Sequence, residues 1–242
     1  MTQDGAWVLA EAFDRAAPSY DAMVALSPGY HAQLRTAAQT LVDEVPAGQQ
    51  EARILDLGCG SGASTAALLA AWPQGRPLRL TGVDASAGMV AQAREKQWPA
   101  EVDWRVADAA AYLRELPDQS VSGVLAAYLL RNVAERDELL AQISRVLVPG
   151  GVLVLHDYSV AGSLRARAVW AAVCHGVIIP LAAIKRSDVP LHRYLYASVR
   201  DFDSIGGVCA RMQQAGLTEV RHRSYPGWQN HVVHTAVGHA PA

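Results

Sequence analysis

Short apolar runs and amphipathic stretches take turns along the first two thirds of the chain. The runs "RILDL" (53–57), "LRLTGVD" (78–84), "VDWRVAD" (102–108), "SVSGVLAAY" (120–128) and "GVLVLHDY" (151–158) read as strands, several of them apolar on both faces. Between them, "SGASTAALLAAW", "SAGMVAQAREKQ" and "ERDELLAQISRVL" repeat apolar residues at helical spacing. Ser86 is placed as an N-cap, and Gly150, after Pro149, as a stop. Strands and helices alternating at this spacing predict an α/β fold with an open, mostly parallel sheet. In such sheets the ligand sits beyond the carboxyl ends of the strands.

Two segments fall outside the alternation. Residues 6–45 look helical, with Pro28 placed to begin a helix through "YHAQLRTAAQTLVDEV". Residues 162–200 look like a helical insert after the fifth strand. Both are natural lids, so the chain is expected to be one domain, 1–242, with an N-terminal cover (6–45), a ligand-binding core (50–160) and a lid (162–200). A helix ending near Gly216 and two strand-like runs, "LTEVRHRSY" and "HVVHTAV", close it. The most apolar run, residues 168–184, is interrupted by His175 and Pro180. It falls short of the roughly 20 residues that span a bilayer. It reads as a lid helix broken at Pro180, with a greasy wall or a lipid contact as its functional reading.

Composition narrows the classes. The 242 residues are 51% hydrophobic and 18% charged, with a net charge of -2. That suits a globular protein with a sizeable core and gives no general attraction to nucleic acid. Three widely spaced cysteines form neither a zinc nor a disulfide pattern, which favours a reducing cytoplasm. No metal site is expected, and the first residues lack the features of a secretory signal.

The chemistry begins at "ILDLGCGSG", which sets Asp56 before Gly58, Gly60 and Gly62 between a strand and a helix. A carboxylate there repels a pyrophosphate and suits an ammonium group, favouring an aminoacyl nucleoside over a nicotinamide dinucleotide. Asp84 ends the second strand, placed for a ribose diol. Asp108 ends the third, placed to accept from an exocyclic amine while the next backbone N–H, that of Ala109, donates to the ring. One strand-end aspartate alone is readily a helix cap. Three behind one glycine loop are hard to explain by capping.

Together, "ILDLGCGSG", "TGVDASAGMV", "VADAA" and "ISRVLVPGGVLVLHDY" resemble the class I S-adenosylmethionine-dependent methyltransferases over roughly residues 50–160. That resemblance implies a Rossmann-like sheet of seven strands with a reversed final hairpin and helices on both faces. It implies S-adenosylmethionine as cofactor, held by Asp56, Gly58, Cys59, Gly60, Gly62, Asp84, Ala85, Met89, Asp108, Ala109 and Tyr128. A narrower resemblance covers most of the chain. "AFDRAAPSYDAM", "LLRNVAERDELLAQISRVLVPGG" and "RYLYASVRDF" are similar to the ubiquinone/menaquinone biosynthesis C-methyltransferases, which methylate a ring carbon of a prenylated hydroquinone. It implies roles at the reacting centre for Arg131, Asp157 and Tyr20.

A ring carbon is a weak nucleophile until a neighbouring hydroxyl loses its proton. A guanidinium at Arg131 would stabilise that phenolate, with His156, or water held by Asp157 and Tyr20, taking the proton. Strand alternation points His156 and Asp157 to opposite faces. Tyr20, Asn132, His192 and Tyr194 are candidate substrate contacts. Plainer readings stand beside these: a structural Arg131–Asp157 ion pair, and Asn132 as a cap on the following helix. The expected activity is methyl transfer to carbon of a small phenol or quinol. The alternatives are transfer to oxygen or nitrogen of an aromatic metabolite, or a rearrangement without methyl transfer. Peripheral membrane contact and a homodimer stay open.

Overall fold

The computed structural model describes residues 11–15, 17, 29–184 and 189–242. Tyr20 and Pro28 lie outside the described residues. Seven strands form one sheet in the order β3-β2-β1-β4-β5-β7-β6. They are β1 (Ala52–Leu57), β2 (Leu78–Asp84), β3 (Val102–Val106), β4 (Val121–Ala127), β5 (Leu147–Tyr158), β6 (Thr218–Ser224) and β7 (Val233–His239). The first five run parallel, and β7 lies antiparallel between β5 and β6. Strand order reverses between β1 and β4, which opens a crevice at their carboxyl ends.

Both faces of the sheet are covered because its central strands are apolar on both. On one face, α1 (Tyr30–Glu44) and α2 (Ala63–Ala71) bury Leu34, Leu41 and Leu68 against Ile54, Leu80 and Val154. On the other, α4 (Ala109–Glu115), α5 (Arg136–Val146) and α9 (Ile205–Gln214) bury Leu113, Ile143 and Met212 against Leu57, Val124 and Leu153. The helix after β2, α3 (Ala87–Glu95), starts at its expected cap: the Ser86 hydroxyl accepts from Met89 N–H at 3.1 Å.

Three boundaries depart from expectation. Helix α5 stops at Val146, so Gly150 does not end it; Leu147 already pairs with Val121 in β5, which accommodates "PGG" before a register shift. Strand β3 stops at Val106, because Asp108 turns its side chain to Ala111 N–H and caps α4. The insert holds α6 (Leu164–Val173), a π turn (Cys174–Ile178), α7 (Ile179–Ile184) and α8 (Val189–Arg200). Pro180 does not break this tract. A proline ring clashes with the carbonyl four residues back and offers it no N–H. The π turn, closed by Ile179 N–H donating to Cys174 O, resets the register one residue before the proline. The resulting Leu164–Ala183 helix has 20 residues at mean hydropathy 1.6 and is 22% buried. By length and composition it can cross a membrane, contrary to the length read from the apolar run alone.

Candidate active site

The glycine loop leaves β1 at the crevice. Gly60 has φ 53 and Gly62 φ 96, backbone that side chains other than glycine's rarely adopt. A Cβ on Gly62 would also meet Cη2 of Trp98 at 2.6 Å. Asp56, fully buried just before the loop, accepts from the hydroxyls of Ser64 (2.8 Å) and Thr65 (2.5 Å) through Oδ2 alone. Among the described residues its Oδ1 has no hydrogen-bond partner. Burial pushes its pKa up to about 6, against the pull of those two hydroxyls. A buried carboxylate with one free oxygen fits a cationic group.

Asp84 stands one strand away with both oxygens oriented by backbone. Oδ2 accepts from Gly60 N–H at 2.8 Å and Oδ1 from Ser86 N–H at 2.9 Å. Each oxygen keeps a further lone pair for a hydroxyl. Burial raises its pKa as well. The pair of acids and the open loop therefore fit an aminoacyl nucleoside, ammonium at one and diol at the other. Cys59 packs its sulfur 3.2 Å from where a Cβ on Gly82 would sit, and burial raises its pKa well above the usual thiol value. It is a packed thiol, not a nucleophile. Met89 is buried in the first turn of α3, Ala109 in that of α4, while Ala85 and the cap Asp108 are exposed.

At the end of β4, Tyr128 adopts φ 59, a left-handed conformation uncommon for an aromatic residue. The turn aims Tyr128 O at Arg131 Nη1 (2.9 Å) and Asn132 Nδ2 (3.1 Å). Arg131 Nη1 also donates to Asp157 Oδ1 at 2.6 Å, a buried ion pair, with the guanidinium 5.8 Å and 6.0 Å from the Tyr128 and Tyr158 rings. Burial raises the Asp157 pKa, while the Arg131 charge and hydrogen bonds pull it down. Asn132 does not cap α5. Its amide is taken by Tyr128 O, and its Oδ1 accepts from the Tyr194 hydroxyl at 3.2 Å, tying the insert to the end of β4.

His156 lies on the opposite face of β5 from Asp157, as alternation requires. It is fully buried, with Nδ1 2.9 Å from Thr235 Oγ1 and Nε2 3.1 Å from the Tyr128 hydroxyl. Burial is the main cause lowering its pKa to about 3. Both nitrogens are occupied and protonation is opposed, which argues against His156 as the base. His192 sits on α8 two residues from Tyr194, and so on a different face of the helix.

Other groups had gone unread. Ser64 and Thr65 orient Asp56. Tyr30, Tyr128, Tyr158 and Trp170 form a ladder with centroids 5.3, 5.0 and 4.9 Å apart, running from α1 across the strand ends to the insert. The hydroxyl pair in the first turn of α2 looks like ordinary helix-opening residues, so the first two left no signal in the sequence. The stack left none either, Tyr128 being singled out from the sequence only as a cofactor contact.

The model of the ubiE/COQ5 methyltransferase family matches residues 1–237. A ubiquinone/menaquinone biosynthesis C-methyltransferase of Syntrophotalea carbinolica is 32% identical over 216 residues, 89% of this chain and 88% of that protein. A 2-phytyl-1,4-naphtoquinone methyltransferase of Thermosynechococcus vestitus is 33% identical, with 88% and 91% covered. Among solved structures, phosphoethanolamine N-methyltransferase 2 of Haemonchus contortus, with phosphomonomethylethanolamine and S-adenosylhomocysteine, superposes with TM-score 0.59 at 18% identity. It covers 86% of this chain, which spans 53% of that longer one, and it speaks to the fold alone.

Proposed function

The chain belongs to the ubiE/COQ5 methyltransferase family and is an S-adenosylmethionine-dependent methyltransferase, and from that premise we propose that it methylates a ring carbon of a phenol or quinol. When bound, the cofactor supplies an electrophilic methyl group. We assign Asp56 to its ammonium, Asp84 to its ribose diol, and the α4 start at Asp108 and Ala109 to its adenine. The observation that carries the substrate reading is the buried Arg131–Asp157 pair beside the stacked rings of Tyr128 and Tyr158. A flat ring finds an aromatic wall there. Its oxygen meets a guanidinium that stabilises the anion and so loads electron density onto the neighbouring carbon. Asp157 holds Arg131 in place. Water on the Asp157 side, rather than His156, takes the proton.

The relatives act in quinone biosynthesis by name, one of them on a naphthoquinone that carries a phytyl chain. We assign the tail to the side of the Leu164–Ala183 helix on which Val177 is exposed. The same face would meet a membrane surface. The three cysteines are free thiols, in keeping with a cytoplasmic setting.

The test is incubation with methyl-labelled cofactor and a series of quinols and phenols, the label then being located by NMR. Label on a ring carbon supports the reading. Label on oxygen or nitrogen, or an unlabelled rearranged product, overturns it. Arg131→Ala should lower turnover by about 10²–10³-fold with cofactor Kd within about threefold of wild type. Removing one partner of a buried pair costs about 3–5 kcal/mol, so Arg131→Lys, which keeps the charge, is measured beside it. Wild-type turnover in folded Arg131→Ala would remove Arg131 from the chemistry.

A further inference from the structure

Residues 11–15 form a helical stretch seated on the first turn of α3. Its contact is specific. Asp14 Oδ1 accepts from the Ser86 hydroxyl at 2.5 Å and from Gly88 N–H at 2.8 Å. Gly88 makes the approach feasible, since a Cβ there would lie 3.1 Å from Asp14 Oδ1 and 3.3 Å from its Cα. Ser86 is the shared element. Its N–H holds Asp84 Oδ1, its hydroxyl oxygen accepts from Met89 N–H, and its hydroxyl proton goes to Asp14.

We propose that Asp14 is a positioning residue that clasps the N-terminal segment to α3 and, through Ser86, fixes the carboxylate of Asp84 for the ribose diol. The inference rests on the reading of Asp84 as the ribose anchor. Fixing Ser86 from both sides sets the direction of the N–H that orients Asp84. The negative charge of Asp14 also adds to burial in raising the Asp84 pKa. Cofactor affinity and docking of the N-terminal segment are thereby one linked equilibrium. What strengthens the clasp strengthens the grip on the nucleoside, and the reverse holds by linkage.

The experiment measures calorimetric Kd values of the full-length protein for S-adenosylhomocysteine and for its 2′-deoxy counterpart. In wild type the 2′-deoxy compound should bind more weakly. Asp14→Ala should weaken S-adenosylhomocysteine by about three- to tenfold, as expected for one lost hydrogen-bond link, and narrow its ratio to the deoxy compound. Gly88→Ala, which keeps Asp14 but pushes it away, should do the same. Asp14→Asn keeps the acceptor and should bind within about twofold of wild type. A lower melting temperature with both Kd values unchanged would show a merely structural contact and overturn the proposal. Equal weakening of both ligands by Asp14→Ala would overturn it too, since the effect would bypass the diol. A wild type indifferent to the 2′-hydroxyl would instead overturn the role of Asp84 itself.

Discussion

Burial, with the negative charge of Asp84 beside it, raises the Asp56 pKa from the ordinary aspartate value to about 6. The sign of its effect on binding follows. A ligand ammonium prefers the ionised carboxylate, so below pH 6 binding must first remove a proton. Affinity for S-adenosylmethionine should fall as pH drops, to about tenfold weaker at pH 5 than at pH 7. Asp56→Asn should bind weakly and show a flat profile over that range, read by calorimetry at each pH. A flat wild-type profile would place the ammonium elsewhere. Folding shows the opposite face of the same shift. The raised pKa means that ionising Asp56 opposes the folded state as pH rises from about 4 to above 6, and a bound cation offsets that cost. Asp56 was legible in the sequence from its place before the glycines. The one-sided support by Ser64 and Thr65 was not, because hydroxyls opening a helix look like ordinary first-turn residues.

Elements were legible where local pattern and tertiary packing agree. The central strands alternate too little to mistake for anything but buried sheet, and β2 has the bounds its apolar run suggests. Misreadings gather where a local rule met a tertiary exception. Pro180 reads as a break under α-helical rules, yet a π turn one residue earlier takes up the strain. Asn132 has the chemistry of a cap, but the left-handed turn at Tyr128 presents a carbonyl nearer to hand. The start of α2 offers a test at this scale. Gly62→Ala places a Cβ in left-handed backbone and against Trp98. Strain and overpacking together should cost about 2–4 kcal/mol, lowering Tm by several degrees, with a change in tryptophan emission as the Trp98 ring shifts. Cofactor affinity should fall with it. An unchanged Tm would mean that the loop adapts freely and that the glycine spacing serves ligand approach alone.

Across the whole molecule, residues 11–15 and the insert are each tied to the carboxyl edge of the sheet, by different means. The N-terminal segment grips α3 through hydrogen bonds at Asp14, whereas the insert is joined by the Tyr194–Asn132 bond and the stack ending at Trp170. Such long-range joins leave no trace in local periodicity, which is why the two helical segments were legible but their contacts were not. The insert turns Trp170 and Cys174 inward and leaves Val177 57% exposed. A charge at Val177 therefore disturbs no packed neighbour of the core and tests only what meets that face. If the apolar tail of the substrate runs along it, Val177→Glu should raise KM for a long-tailed quinol by about tenfold, equivalent to ~1.4 kcal/mol of lost apolar contact. It should leave kcat for that quinol, and both constants for a tail-less analogue, near wild type. Equal KM values for the long-tailed quinol in the two proteins would move the tail to another wall of the site, and a fall in kcat for the tail-less analogue would tie Val177 to the ring-binding geometry instead.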